Sequence, residues 1–190
     1  MKVVAFNGSP RKDGNTAVLI DLVLNELKAK GIETELISLA GKNLIDCQAC
    51  RKCKTNKDKH CSMTKDEMNG YIDAMLNADG IIIGSPVYFS NYTSNIKSLI
   101  DRAGYVAKGN DDMFKRKVGA AVVAARRAGS LPTFDSINHF FLISQMIVPG
   151  SSYWNMGFGL EKGDVKGDAE GVEIMKNLGR NMAWLLKKLG

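Results

Sequence analysis

The stretch KVVAFNGSPRKDGNTAVLI, residues 2–20, carries the first decision about the fold. It starts as a short apolar run, KVVAFNG (2–8), that closes on glycine, as a strand buried on both faces does. It runs on into NTAVLIDLVLNELKAKG (15–31), where Val18, Leu19, Leu22, Leu24 and Leu27 recur near helical spacing before Gly31 stops the run. Between them lies a short loop of small polar residues that opens directly into the helix. A strand, a short loop and a helix in this order read as the first half of a βαβ unit.

The same alternation continues along the chain. ETELISLA (33–40) reads as a strand, TKDEMNGYIDAMLNADG (64–80) as a helix opened by a Thr-x-x-Glu capping box, and GIIIGSP (80–86) as a fully apolar strand. SNIKSLIDRAGYVA (94–107) reads as a helix, RKVGAAVVAA (116–125) as a strand and LPTFDSINHFFLISQ (131–145) as a helix. MIVPG (146–150) reads as a short fifth strand and EGVEIMKNLGRNMAWLLKKLG (170–190) as the last helix. Five strands alternating with five helices predict an α/β doubly wound fold: one five-stranded parallel sheet with right-handed crossovers and helices on both faces. Residues 1–190 are expected to form a single domain. In such a sheet ligands sit beyond the carboxyl ends of the strands, so the loops after the first, third and fourth strands come first as site candidates.

The loop NGSPRKDGNTA is built to cradle a phosphate. Ser9, Asn15 and Thr16 offer side-chain donors, Arg11 a charged fork, and the helix that follows offers free N–H groups at its positive end. It is neither a Walker loop nor G-x-G-x-x-G. The structural alternative is that Asn15 or Thr16 only caps the helix and Gly14 only turns the chain.

Bulk properties bound the function. Hydrophobic content of 45% and charged content of 24% suit a soluble globular protein, and no apolar run approaches the ~20 residues that cross a bilayer. The first residues read as a strand rather than a signal peptide, so the expected location is cytoplasmic and reducing, which weighs against disulfides. The net charge of +6 concentrates only around Arg51, Lys52, Lys54, Lys57, Lys59 and Lys65. No aromatic residues interleave there to stack bases, so no nucleic-acid or membrane partner is expected; the charge suits anionic cofactors or acidic redox partners.

Here the residues carry a resemblance. GSPRKDGNT is similar to the phosphate loop of the flavodoxin-like NAD(P)H-dependent FMN reductases, and GSPVYFSNYTSNIKSLIDR (84–102) resembles their second flavin loop and the helix after it. The likeness extends to AARRAGS (124–130) and GDAEGVEIMKNLGR (167–180). It implies a flavodoxin-like sheet of order 2-1-3-4-5 and FMN as cofactor. In SPVYFSN, Pro86 stiffens the turn beside Val87, Tyr88 or Phe89 can pack on a flat ring, and Asn91 can reach its polar edge. Arg126, Arg127 and Gly129 lie at the same end of the sheet, where a positive group or backbone N–H would stabilise a reduced anionic ring. Core packing for the aromatics and plain surface charge for the arginines are the structural alternatives.

All four cysteines fall in DCQACRKCKTNKDKHC (46–61), as Cys47, Cys50, Cys53 and Cys61. The spacing C-x2-C-x2-C-x7-C is too tight for two zinc knuckles. The close triplet resembles the ligand run of bacterial ferredoxins, with Cys61 for a fourth corner. Zinc, a thiol redox pair or inert thiols stay open on spacing alone. The chain is similar to the iron–sulfur flavoproteins, a resemblance that implies a [4Fe–4S] cluster, FMN and electron transfer. In 2-1-3-4-5 order the cysteine loop is expected to leave the flavin end of the sheet, to one side, better placed for a partner subunit's flavin than its own. His60 reads as a loop residue and His139 as packed within its helix.

The expected function is thus an electron-transfer flavoprotein or oxidoreductase, exchanging electrons with a redox protein such as a ferredoxin or with a small acceptor, as a homodimer or homotetramer. The alternatives are a cluster-free NAD(P)H-dependent reductase of flavins or quinones and, more remotely, a non-enzymatic metal-binding regulatory module. Residues 150–170, with Tyr153, Trp154 and Phe158, are expected near a flavin as a cover, the alternative being a loop packed on its own domain. No general acid or base is assigned.

Overall fold

The computed structural model describes all 190 residues. The elements run β1 (Lys2–Asn7), α1 (Asn15–Ala29), β2 (Glu33–Ser38), α2 (Lys52–Asn56), α3 (Met68–Leu76), β3 (Gly80–Pro86), α4 (Ser94–Gly109), β4 (Val118–Ala125), α5 (Ser130–Ile143), β5 (Met156–Phe158) and α6 (Ala169–Leu189), with a 3-10 turn at Asp164–Gly167. The strands form one parallel sheet in the order β2-β1-β3-β4-β5, the flavodoxin-like order expected.

The period-two alternation of strand side chains divides the core. Val4, Phe6, Ile81, Ile83, Ala121 and Val123 face α3, α4 and α5. Val3, Ala5, Ile82, Ala120, Val122 and Ala124 face α1 and α6. Ile81, Ile82 and Ile83 are fully buried, each worth about 1.5–3 kcal/mol of hydrophobic stabilisation. Both faces being covered explains why β3 and β4 read as unbroken apolar runs. No helix is long and apolar enough to cross a membrane.

Two expectations are corrected. MIVPG is not the fifth strand: only Ile147 bridges to β4, at Val118. The chain leaves the sheet at Pro149, which cannot donate to a ladder, and pairs again at Met156–Phe158 against Val123–Ala125. The Thr64–Glu67 capping box does not form either. Helix α3 begins at Met68 with no side-chain cap; Glu67 instead pairs with Lys42 at 2.7 Å. Asp66 is drawn inward by Arg102, as described below.

Candidate functional site

The loops after β1, β3 and β4 meet at the carboxyl edge of the sheet. Gly8 N–H donates to the Gly84 carbonyl (2.8 Å). Thr93 Oγ1 donates to the Gly8 carbonyl (2.8 Å), and Thr93 N–H to Ser85 Oγ (3.1 Å). Val87 N–H donates to the Ala124 carbonyl (2.9 Å), tying the second loop to β4.

The first loop holds its own shape. Asn7 Oδ1 accepts from Ser9 N–H (3.0 Å), and its Nδ2 donates to the Lys12 carbonyl (3.1 Å). Ser9 Oγ accepts from Arg11 N–H (3.1 Å). Ser9 and Thr16 are buried and Arg11 is exposed. Helix α1 has Gly14 at its N-cap and no side-chain cap; its first helical bond there is Val18 N–H to Gly14. Neither Asn15 nor Thr16 caps it, so the N–H groups of its first turn have no intrahelical partner and remain free for an anion.

Asn15 is occupied otherwise than expected. Its Nδ2 donates to the Glu161 carbonyl (2.9 Å) and its Oδ1 accepts from Gly163 N–H (2.8 Å). Lys162 pairs with Asp13 beside it. The part of segment 150–170 around 159–163 therefore seats on the first loop. Tyr153 and Trp154 do not follow it. Trp154 packs on Phe134 of α5 (6.0 Å between ring centroids) and on Tyr153 (6.1 Å). They line a cavity of about 600 Å³ between α5 and residues 148–155, which none of the three loops reaches. His139 lines that cavity too and is exposed, not packed as expected.

The second loop ends in a tight turn. Tyr88 and Asn91 exchange backbone hydrogen bonds (2.8 and 3.0 Å) around Phe89 and Ser90, whose φ values are 48° and 59°. Paired positive φ angles define the primed hairpin turn that Asn-Gly usually supplies, and a non-glycine residue there costs about 1–3 kcal/mol. Phe89 at the tip is fully exposed, at 106%, and Tyr88 half-exposed. Asn91 Oδ1 accepts from Tyr92 N–H (2.8 Å). Gly129, at φ 83°, enters α5 against this turn; a Cβ there would lie 2.9 Å from Ser90 Oγ and 3.0 Å from Val87 Cγ1. Arg126 and Arg127 are exposed on the same loop.

The cysteine loop leaves the carboxyl edge of the sheet beside the first turn of α4 and then runs down the outside of that helix. At the first turn of α4, Asn95 Nδ2 donates to the Leu39 and Lys42 carbonyls (3.1 and 3.0 Å). Midway, Arg102 takes hold of it. At the far end Asn110 Nδ2 donates to the Cys53 carbonyl (3.2 Å) and its Oδ1 accepts from Lys59 N–H (3.0 Å). The backbone of α2 lies directly on Gly109, where a Cβ would be 3.0 Å from Lys54 Cα. Helix α4 has 16 residues, a rise of about 24 Å.

Cys47, Cys50, Cys53 and Cys61 line one cavity of about 80 Å³ together with Arg102 and Tyr105. No three side chains of Cys, His, Asp or Glu converge on one metal position. Cys50 Sγ lies 3.5 Å from Ser62 Oγ, and Cys53 Sγ donates to the Tyr105 carbonyl (3.7 Å). The Ser62 hydroxyl and then the Lys52 N–H hold the Cys50 thiol below its ordinary pKa, whereas burial and neighbouring thiolates push Cys53 up. His60 turns away to Asp73 of α3, 2.9 Å from its carboxylate.

Arg102 and Asp66 were not singled out in the sequence. Their side chains, 0% and 2% exposed, form a buried ion pair. Arg102 Nη1 also donates to the Ile45 carbonyl (3.1 Å) and Nη2 to the Met63 carbonyl (2.8 Å). Asp66 accepts from Ile45 N–H (2.8 Å) and Met68 N–H (3.3 Å). Burial opposes the charge on Asp66, but Arg102 and those N–H groups outweigh it and hold the carboxyl below its ordinary value. Burial likewise opposes the charge on Arg102, and Asp66 and the Cys61 sulfur beside it more than offset this.

Comparison with known proteins agrees with this geometry. A family model for NADPH-dependent FMN reductase matches residues 1–161. An iron-sulfur flavoprotein of Methanocaldococcus jannaschii is 41% identical, the alignment covering 98% of each chain. One from Methanosarcina thermophila is 35% identical over 80% of this chain and 78% of its own. Among solved structures, a WrbA-like flavodoxin from Agrobacterium tumefaciens superposes with a TM-score of 0.69 over 98% of this chain and 97% of its own, at 14% identity, a likeness of fold. The three-loop edge and the strand order define a flavodoxin-like protein. The chain belongs to the NADPH-dependent FMN reductase family and is a flavin-dependent oxidoreductase.

Proposed function

We propose that this chain binds FMN at the three-loop edge and a [4Fe–4S] cluster on Cys47, Cys50, Cys53 and Cys61, and that it works as an electron-transfer flavoprotein. Ser9, Arg11, Thr16 and the free N–H groups of α1, Asn15 among them, would hold the phosphate. Pro86, Val87, Tyr88, Phe89, Asn91, Arg126, Arg127 and Gly129 would frame the ring. When bound, the flavin exchanges one or two electrons and the cluster one at a time, which matches a ferredoxin-type partner on one side and a small acceptor on the other. The residues named would position the cofactors and set the charge around them.

One observation carries the cluster half of the proposal: four thiols line a single cavity whose wall includes a fully buried guanidinium with an unpartnered Nε–H. A buried donor left unpaired costs about 1–3 kcal/mol, and the sulfur of a thiolate-ligated cluster is an acceptor that removes that cost. The course of the cysteine loop along α4 supports a homodimer or homotetramer, because it carries the thiols away from the chain's own flavin edge and lets them serve a second subunit.

The separate partners of Cys50 and Cys53 favour a second reading, a cluster-free NAD(P)H-dependent reductase of flavins or quinones. Anaerobic reconstitution followed by iron, sulfide and flavin counts decides between them. The first reading expects one four-iron cluster and one FMN per chain, and expects Cys50→Ala to lose the iron and keep the flavin. Stoichiometric zinc, or background iron in folded, flavin-loaded protein, refutes it in favour of the second.

A further inference from the structure

The plane and direction of the Arg102 guanidinium are fixed by everything it touches. Asp66 and the Ile45 carbonyl take Nη1, and the Met63 carbonyl takes Nη2. Ile45 and Met63 flank the cysteine loop on either side, so these contacts clamp the two ends of the segment that carries all four thiols. The side chain is completely buried. Only Nε–H is left over, buried and without a partner. It belongs to a residue in the wall of the cysteine cavity, beside the Cys61 sulfur. Cys61 is itself buried and pinned through its backbone: its N–H donates to Asn69 Oδ1 (2.8 Å) and its carbonyl accepts from Asn69 Nδ2 (2.9 Å). Donor and sulfur are therefore both held in place by contacts that need no cluster.

A guanidinium needed only as a clamp would be served by its two Nη groups. The leftover Nε–H points to a second duty. Hydrogen bonds and positive charge at a ligating sulfur draw electron density from an iron–sulfur cluster and favour its reduced form.

We propose that Arg102 is a positioning residue of the cysteine site: its Nε–H donates to the Cys61 sulfur once the four thiolates hold a cluster, and this raises the potential at which the cluster accepts an electron. The inference rests on the cluster reading above. Asp66 keeps the guanidinium in place and balances its charge, leaving the hydrogen bond rather than the net charge as the main influence.

The test is a redox titration of anaerobically reconstituted protein, followed by electron paramagnetic resonance for the cluster and by absorbance for the flavin. Arg102→Lys keeps the positive charge and removes the Nε–H. Asp66→Asn combined with Arg102→Gln removes both charges, so that no lone ion is left buried if the single variant does not fold. In either variant that folds and loads cofactors, the cluster should become harder to reduce by about tenfold in its equilibrium constant, about 59 mV for one electron, while the flavin midpoint stays at the wild-type value. A wild-type cluster midpoint in a folded variant overturns the proposal and leaves the cluster reading intact. Background iron in the wild-type protein overturns the cluster reading itself, and with it this one.

Discussion

Gly129→Ala tests whether the third loop shapes the flavin slot. Gly129 sits at φ 83°, in the left-handed region where a Cβ costs about 1–2 kcal/mol. The added methyl would also meet Ser90 Oγ at 2.9 Å, Val87 Cγ1 at 3.0 Å and Ser90 Cα at 3.1 Å. The hydroxyl can rotate aside, but the Cα belongs to the turn closed by Tyr88 and Asn91 and moves only if that turn moves. The strain is thus shared between a loss of about 1–3 kcal/mol in folding stability and a displaced 87–91 turn. If the turn frames the ring, FMN affinity falls about tenfold for each 1.4 kcal/mol that reaches it. Gly70→Ala is the matched control. Gly70 is exposed in α3, and its Cβ would meet nothing within 4 Å, so alanine should stabilise the helix by about 0.5–1 kcal/mol. Urea unfolding measures the first quantity and quenching of FMN fluorescence the second. Unchanged stability in Gly129→Ala, alongside the expected gain in Gly70→Ala, would refute the strain argument; lower stability with unchanged FMN affinity would remove the 129 loop from the slot.

Asp66→Ala leaves the Arg102 charge buried and alone, and should cost about 3–5 kcal/mol in urea unfolding. The depressed Asp66 carboxyl makes a signed prediction for pH. Its contribution is complete above the unfolded value near 3.8 and is lost as pH falls through the lower folded value, so the urea midpoint of the wild type should drop below about pH 4 more steeply than that of Asp66→Asn. Arg11→Ala with Thr16→Ala should weaken FMN far more than riboflavin in equilibrium titrations, because charge-assisted hydrogen bonds to a phosphate are worth about 1.5–3 kcal/mol each; equal losses for the two ligands would place the phosphate elsewhere.

The sheet was legible because β1, β3 and β4 are buried on both faces and so carry uninterrupted apolar runs that hardly admit another reading. The fifth strand was not. Met156–Phe158 is three residues long in a glycine-rich stretch, too short for a period to show, whereas the apolar MIV before Pro149 looked more like a strand than it is. The first and second loops could be located from their glycines, proline and small polar residues, but the engagement of Asn15 with Glu161 and Gly163 is a contact between segments far apart in sequence and leaves no local trace. Arg102 did leave one. It falls three residues after Leu99 and four before Val106, on the buried stripe of α4, and a charge on such a stripe signals a buried partner. The partner, Asp66, was hidden inside what reads as a capping box.

Helix α4 touches both the three-loop edge and the cysteine loop. Thr93, just before it, is bonded to the first loop at Gly8, and Gly109 and Asn110 at its other end carry the cysteine helix α2. Any fluctuation that melts α4 dismantles the three-loop edge and the cysteine cavity together, which couples the two in one opening event. A ligand that binds only the intact form suppresses that fluctuation by a factor set by its concentration over its dissociation constant. On the reading proposed above, a cofactor bound at one end would therefore lengthen the residence of one bound at the other without any contact between them.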